Sequence, residues 1–229
     1  MSERFLEGFA VDAKALDAML GTAKLAPAAI RKRLRGKQVL EDIDMTLGDG
    51  DAADGRIRVD AALGVLAHGR PNAKASAYDV TRVSALVLAA YGKRLGSLEV
   101  IPFVEGDSFG LWNGVFKALA MPTLASAYGK PSLAFPYATR TKRTTVDWPI
   151  MTLVDKSLAA WKRELASGWA KQLAALPDKL FTHRDYGTDA ETIAETKREL
   201  VPAIKRLATW VGAALRAKRA LVIVLDGDQ

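Results

Sequence analysis

The run TDAETIAETKRELVPAIKRLATWVGAALRAKRALVIVLD, Thr188 to Asp226, decides the fold. In its first part Ile193, Leu200, Ile204, Leu207, Val211 and Leu215 recur at intervals of three, four or seven residues. That period is an amphipathic helix with one apolar stripe turned to a core. Thr188 and Glu191 have the spacing of a capping box, and Asp189 and Glu191 place negative charge at the electropositive helix start. Arg216, Lys218 and Arg219 crowd the far end, where cations complement the helix dipole. Pro202 conflicts with this pattern: it has no N–H and its ring clashes with the preceding turn, at about 3 kcal/mol in a helix interior. A kink or two abutting helices are therefore expected there. The run Ala220-Leu221-Val222-Ile223-Val224-Leu225 follows at once and does not alternate in polarity. Such a run predicts a strand covered on both sides or at a sheet centre.

Its natural partner is at the other terminus. Phe5 to Val11 reads as a short strand, and Asp12 can cap a helix carrying Leu16, Met19 and Leu20. Pro27 suits the first turn of a second helix with Ile30 and Leu34 inward and Arg31, Lys32, Arg33, Arg35 and Lys37 around them. An acidic, glycine-rich loop spans Gly48 to Gly55, and the following helix uses Val59, Leu63 and Leu66 before ending near Gly69-Arg70-Pro71. Ser76 and Asp79 mark another capping box. That helix carries Val80, Val83, Val87 and Tyr91, with Lys93 and Arg94 in its last turn and Gly96 as its stop. Leu98 to Val104 suits a short edge strand, and Phe109, Trp112, Phe116 and Leu119 follow at helical spacing. The stretch from Pro122 to Pro149, rich in Pro, Gly, Ser and Thr, reads as a long irregular excursion with a basic tip, Thr139 to Thr144. Thr152 and Asp155 then restart a helix whose inner face is Leu158, Trp161, Leu165, Trp169, Leu173 and Leu176. The expected fold is a single α+β domain, residues 1–229, mostly helical, with a small sheet formed by the N- and C-terminal strands.

Composition narrows the class. With 49% hydrophobic and 26% charged residues, the 229-residue chain can bury a sizeable core. No apolar run approaches the roughly 20 residues of a membrane helix, and Met1-Ser2-Glu3-Arg4 leads straight into structure, so a cytoplasmic protein with no membrane contact is expected. Zero cysteines exclude disulfides, zinc-thiolate sites and thiol nucleophiles. The net charge of +7 fits an acidic partner, but solubility alone accounts for it better.

Four pieces of this order carry a resemblance: the opening Gly8-Phe9-Ala10-Val11-Asp12 running to Leu20, Gly110-Leu111-Trp112 in a central helix, Trp148-Pro149 with Leu153, and Leu207-Ala208-Thr209-Trp210 running into Ala220 to Leu225. Together they resemble the uncharacterised bacterial YfbM-like family, a domain of unknown function. The resemblance implies an α+β domain and supplies no catalytic residues. The basic tip and the terminal Asp226-Gly227-Asp228 depart from it.

Each familiar chemistry lacks a part. His183-Arg184-Asp185 opens like a kinase catalytic loop, but the position of the metal-binding Asn holds Ala190 and no glycine-rich phosphate loop precedes it. His68 and His183 are the chain's two histidines, and neither has a ligand at helical spacing. Asp49, Asp51 and Asp54 mimic a calcium loop, yet the fifth position is Ala53 and the twelfth is Asp60, so a solvated turn accounts for them better. Gly64 to Pro71 has part of the Walker spacing with Arg-Pro where Lys-Ser/Thr is needed. Glu105 and Asp107 flank Gly106 in what reads as an ordinary turn. Phe109, Trp112, Phe116, Trp161, Trp169 and Trp210 could line a pocket, but their spacing reads as core. Two segments remain: Arg31, Arg33 and Arg35 in one, Arg140, Lys142 and Arg143 in the other, cations without an interleaved acid.

The sequence therefore predicts a non-catalytic accessory or regulatory protein that binds another protein, with those six residues as its binding side chains and an acidic protein as partner. Sequence-nonspecific binding to a nucleic-acid backbone is the alternative, and an enzyme with an unrecognised carboxylate site is a third. No cofactor and no metal are expected.

Overall fold

The computed structural model describes residues 4–15, 27–34, 37–68, 72–99, 108–128, 150–166, 168–182 and 189–227. The architecture is α+β, mostly helical around a four-stranded antiparallel sheet. Strands β1 (Arg4–Val11) and β4 (Ala220–Gly227) are its two central members, pairing from Arg4 opposite Gly227 to Val11 opposite Ala220. The terminal strands thus pair as the sequence predicts. Two strands flank them: β2 (Gly92–Glu99) beside β1 and β3 (Ile150–Val154) beside β4, in the order β2-β1-β4-β3.

The non-alternating run in β4 has a simple cause. Leu221 and Ile223 join one core while Ala220, Val222 and Val224 join another, because successive side chains leave opposite faces of a sheet that is covered on both. One layer holds α5 (Ser108–Ala118), α6 (Pro122–Tyr128), α7 (Leu158–Leu165), α8 (Trp169–Ala174) and the long α9 (Ala190–Arg216). The other holds α1 (Pro27–Arg33), α2 (Lys37–Leu47), α3 (Ala52–His68) and α4 (Ala77–Tyr91).

Several expectations are corrected. Of the two alternatives expected at Pro202, two abutting helices are excluded, because α9 is one continuous helix from Ala190 to Arg216. Pro202 and Arg198, whose carbonyl loses its usual donor, are both exposed residues, so water can replace the missing bond. Its N-cap is Asp189, which accepts the Thr192 amide at 2.8 Å, and Thr188 lies outside the described residues. Helix α4 stops at Tyr91, and Lys93, Arg94 and Gly96 belong to β2, because pairing with β1 claims the backbone from Gly92 onward. Gly96, at φ +127°, sits where the register slips at a β-bulge between Gly8 and Phe9, a conformation suited to glycine. The Ser76–Asp79 capping box is present as predicted. Helix α2 was not anticipated, and the acidic loop shrinks to a turn at residues 48–51.

The expected excursion from Pro122 to Pro149 is partly helix. Pro122 opens α6, and Glu164 of α7 accepts the amides of Thr123 and Leu124 at 2.9 and 3.0 Å. Thr152 lies in β3, where pairing with β4 overrides its helix-start signal. The helix expected to continue to Leu176 splits into α7 and α8, and the Trp169 indole donates to the Leu165 carbonyl at 3.1 Å across the break.

Three helices end alike. After α2, Gly50 N–H bonds the Met45 carbonyl; after α5, Met121 bonds Phe116; after α9, Arg219 bonds Ala214. Inner bonds run from Asp49 to Thr46, Ala120 to Lys117 and Lys218 to Leu215. These are Schellman closures, which place one residue in the left-handed region, usually glycine. Here it is Asp49 (φ 52°), Ala120 (φ 56°) and Lys218 (φ 54°).

Candidate functional site

The strongest constellation of charge lies on the α1–α4 side. Helices α2 and α3 form a hairpin whose backbones touch: a Cβ on Gly55 would stand 1.6 Å from the Asp44 carbonyl oxygen, so no larger residue fits without parting the helices. Helix α1 bridges them through Arg31. Its Nη1 and Nη2 donate to the two Asp44 carboxylate oxygens at 2.9 and 2.8 Å, and its Nε donates to Asp60 at 2.8 Å. Burial works against the guanidinium charge, but the bonds to Asp44 and Asp60 outweigh it and hold Arg31 above its ordinary value. The cation stays charged and occupied.

A second clamp joins α3 to α4. Arg58 donates to Asp79 through Nη2 at 2.7 Å and Nε at 3.3 Å, and to the Leu47 carbonyl at the end of α2. The bonds to Asp79 raise the Arg58 value above the ordinary one. Asp79 is 1% exposed and also accepts the Ser76 amide at 2.8 Å, so one carboxylate caps a helix and ties it to its neighbour. Both oxygens of Asp44 and of Asp79 are engaged by guanidinium groups, which suits them to positioning helices rather than to accepting a substrate proton.

Beside Arg31 opens a shallow cleft of about 440 Å³ between α1 and the hairpin, walled by Leu34 and Leu40 and rimmed by the exposed side chains of Lys32, Glu41 and Arg56. At the hairpin surface Met45 and Ile57 are 47% and 49% exposed, the large hydrophobics most open to solvent among the described residues. Sequence reading missed both. Seeing Met45 required recognising α2, whose amphipathic spacing of Leu40, Ile43, Asp44 and Leu47 was the available signal.

Of the binding residues expected from sequence, Arg31 is placed inside the ion-pair cluster rather than open to a ligand. Arg33 lies in α1, and Arg35, Arg140, Lys142 and Arg143 fall outside the described residues, as do Glu105, Asp107 and His183 to Asp185. His68 ends α3. In the acidic turn, Asp51 accepts the amides of Ala53 and Asp54 at 2.8 and 3.4 Å, acting as the cap of α3. Among the described residues no three His, Cys, Asp or Glu side chains gather into a metal-holding group. Trp112, Phe116, Trp161, Trp169 and Trp210 are all buried in one core, as their spacing predicts. Among the described residues no helix is long and apolar enough to cross a membrane. Comparison with protein-family models, with curated proteins and with solved structures finds no match to this chain.

Proposed function

We propose that this is a cytosolic, non-catalytic accessory or regulatory protein that acts by binding another protein, with the α2–α3 hairpin as its docking surface. The observation that carries this reading is the exposure of Met45 and Ile57 on a hairpin whose buried charges are internally matched. A rigid support with exposed apolar anchors loses little freedom on binding. Glu41, Asp42, Asp49, Asp51 and Asp54 are exposed on the same hairpin, which favours a partner that surrounds an apolar patch with cations. The basic segment at Arg140, Lys142 and Arg143, outside the described residues, has the charge to meet an acidic partner.

The test is affinity capture from the native host with three proteins: wild type, Met45→Asp/Ile57→Asp, and Arg140→Glu/Lys142→Glu/Arg143→Glu. Loss of one partner from the hairpin variant alone, followed by measurable binding of that purified partner to wild type, supports the hairpin. Loss from the triple variant alone moves the surface to the basic segment. Identical capture by all three proteins defeats the protein-binding reading.

A further inference from the structure

We infer that a second surface, at one end of the sheet, binds the phosphate backbone of nucleic acid. Val11 pairs with Gly92 on one side and with Ala220 on the other, so β1 ends where β2 and β4 begin. That row brings together side chains far apart in sequence: Lys14 just after β1, Lys93 at the start of β2, and Arg216, Lys218 and Arg219 between α9 and β4. All five are exposed, and none pairs with an acid among the described residues. The acid beside them, Asp12, has its Oδ1 occupied by the amides of Lys14 and Ala15, both at 3.0 Å. From Val201 to Leu225 the chain contains no acidic residue.

Complementing the α9 dipole accounts for Arg216, but Lys14 and Lys93 belong to other elements. Lys218 occupies the left-handed position of the Schellman closure, φ 54°, as Asp49 and Ala120 do in theirs, so its conformation belongs to the turn and its contribution to this end is its charge.

The kind of partner follows from the charge of this end. Among the described residues, the large hydrophobics most open to solvent, Met45 and Ile57, are both on the α2–α3 hairpin. Protein interfaces are anchored by apolar and aromatic side chains, whereas a cluster of cations alone matches a run of phosphates, whose binding is driven by release of counterions. The surface is therefore fitted to sequence-nonspecific contact with a nucleic-acid strand.

Fluorescence anisotropy with the full chain and a labelled single-stranded DNA of about 16 nucleotides, titrated between about 50 and about 200 mM salt, tests this. Wild type should bind, with log K falling linearly in log salt. Arg216→Glu/Lys218→Glu/Arg219→Glu should bind more weakly, with a slope shallower by roughly two to three. Lys93→Gln/Lys218→Gln, which leaves the helix end with most of its cations, guards against a folding defect and should lose roughly one to two units of slope. Lys218→Gly separates charge from conformation: it should raise the melting temperature while weakening binding. Met45→Asp/Ile57→Asp should bind DNA as wild type does, so failure here and failure of the hairpin as a protein-docking surface are distinguishable. The inference is overturned by absence of binding at the lower salt, by an unchanged slope in the charge variants, or by displacement of the DNA by polyglutamate of equal charge, which would reassign the surface to an acidic protein.

Discussion

On one face of the sheet α9 lays the Trp210 ring against Gly8, and Trp112, Phe116, Trp161, Trp169 and Phe181 fill the layer behind it. On the other face Val59, Leu63, Leu66, Val83 and Val87, with Phe9 of β1 beneath them, form a mainly aliphatic layer crossed by the Arg31 and Arg58 ion pairs. The aromatic layer is registered by shape: a Cβ on Gly8 would stand 2.5 Å from the Trp210 ring, so only glycine admits the indole at that position. Aliphatic side chains of similar volume are more interchangeable, and a layer made of them leaves helix register loosely specified. Arg58, reaching from α3 to Asp79 on α4 and the Leu47 carbonyl on α2, supplies the direction that the valines and leucines lack. One face is located by a close fit, the other by directed bonds.

The largest expected effect removes the strand that both faces share. Deleting residues 220–229 takes Leu221 and Ile223 from the aromatic layer and Val222 and Val224 from the aliphatic one. Each such side chain contributes about 1.5 to 3 kcal/mol when buried, against a typical total of about 5 to 15 kcal/mol. The truncated chain should show no cooperative melting transition, and a midpoint equal to that of the full chain would contradict the account of β4 as the common wall.

Next comes a matched pair of single substitutions. Trp210→Ala should cost about 3 to 5 kcal/mol by leaving a cavity over Gly8. Asp79→Ala should cost about 2 to 3 kcal/mol, since it strands Arg58, whose side chain is 28% exposed and can be partly rehydrated, and removes the Asp79 half of the α4 capping box. Denaturant unfolding measures both. A cost for Asp79→Ala below about 0.5 kcal/mol would mean that the aliphatic face needs no directed bonds.

A smaller effect of opposite sign is expected at the end of α5. Ala120 holds φ 56° in an exposed turn, and Ala120→Gly should stabilise by about 0.5 to 1 kcal/mol, relief of left-handed strain exceeding the added unfolded-state entropy. Destabilisation would show that the turn is relaxed as it stands. The smallest effect is in pH dependence. The Thr192 amide, and then its hydroxyl, bond the Asp189 carboxylate and hold it below its ordinary value. A depressed carboxylate contributes stability above its unfolded value and loses it as pH falls through its folded value. Melting temperature followed from pH about 6 to about 3 should therefore fall less steeply in Asp189→Asn than in wild type, and equal slopes would remove Asp189 from the α9 start.

The aromatic face was far more legible in the sequence than the aliphatic one. Trp161, Leu165, Trp169 and Leu173 repeat at helical spacing, so their inward side could be read even though α7 and α8 turned out to be two helices. Helix α2 is masked in the sequence by the run of cations Arg31, Arg33, Arg35 and Lys37 that leads into it and by Asp44, which interrupts its apolar side. Asp44 is buried only because Arg31, 13 residues away, meets it, and no local pattern announces a partner at that distance. The reading of Arg31 as a binding cation had the same cause: a charged residue on a helix reads as solvent-facing until its partners on two other elements are seen.

By itself the sequence determined the α+β class, the pairing of the two chain ends and the burial of β4, since an apolar run without alternation after an amphipathic helix has few places to go. It also determined the Ser76 cap, because that signal lies within four residues. Only the tertiary structure decided that Thr152 and Lys93 lie in strands, that Arg31 and Arg58 act as clamps, and that Lys14, Lys93 and Lys218 gather at one end of the sheet. Local propensity is worth tenths of a kcal/mol to about 1 kcal/mol per residue, and pairing with a buried central strand or a matched charge outweighs it. Those partners are distant in the chain and close only in the fold.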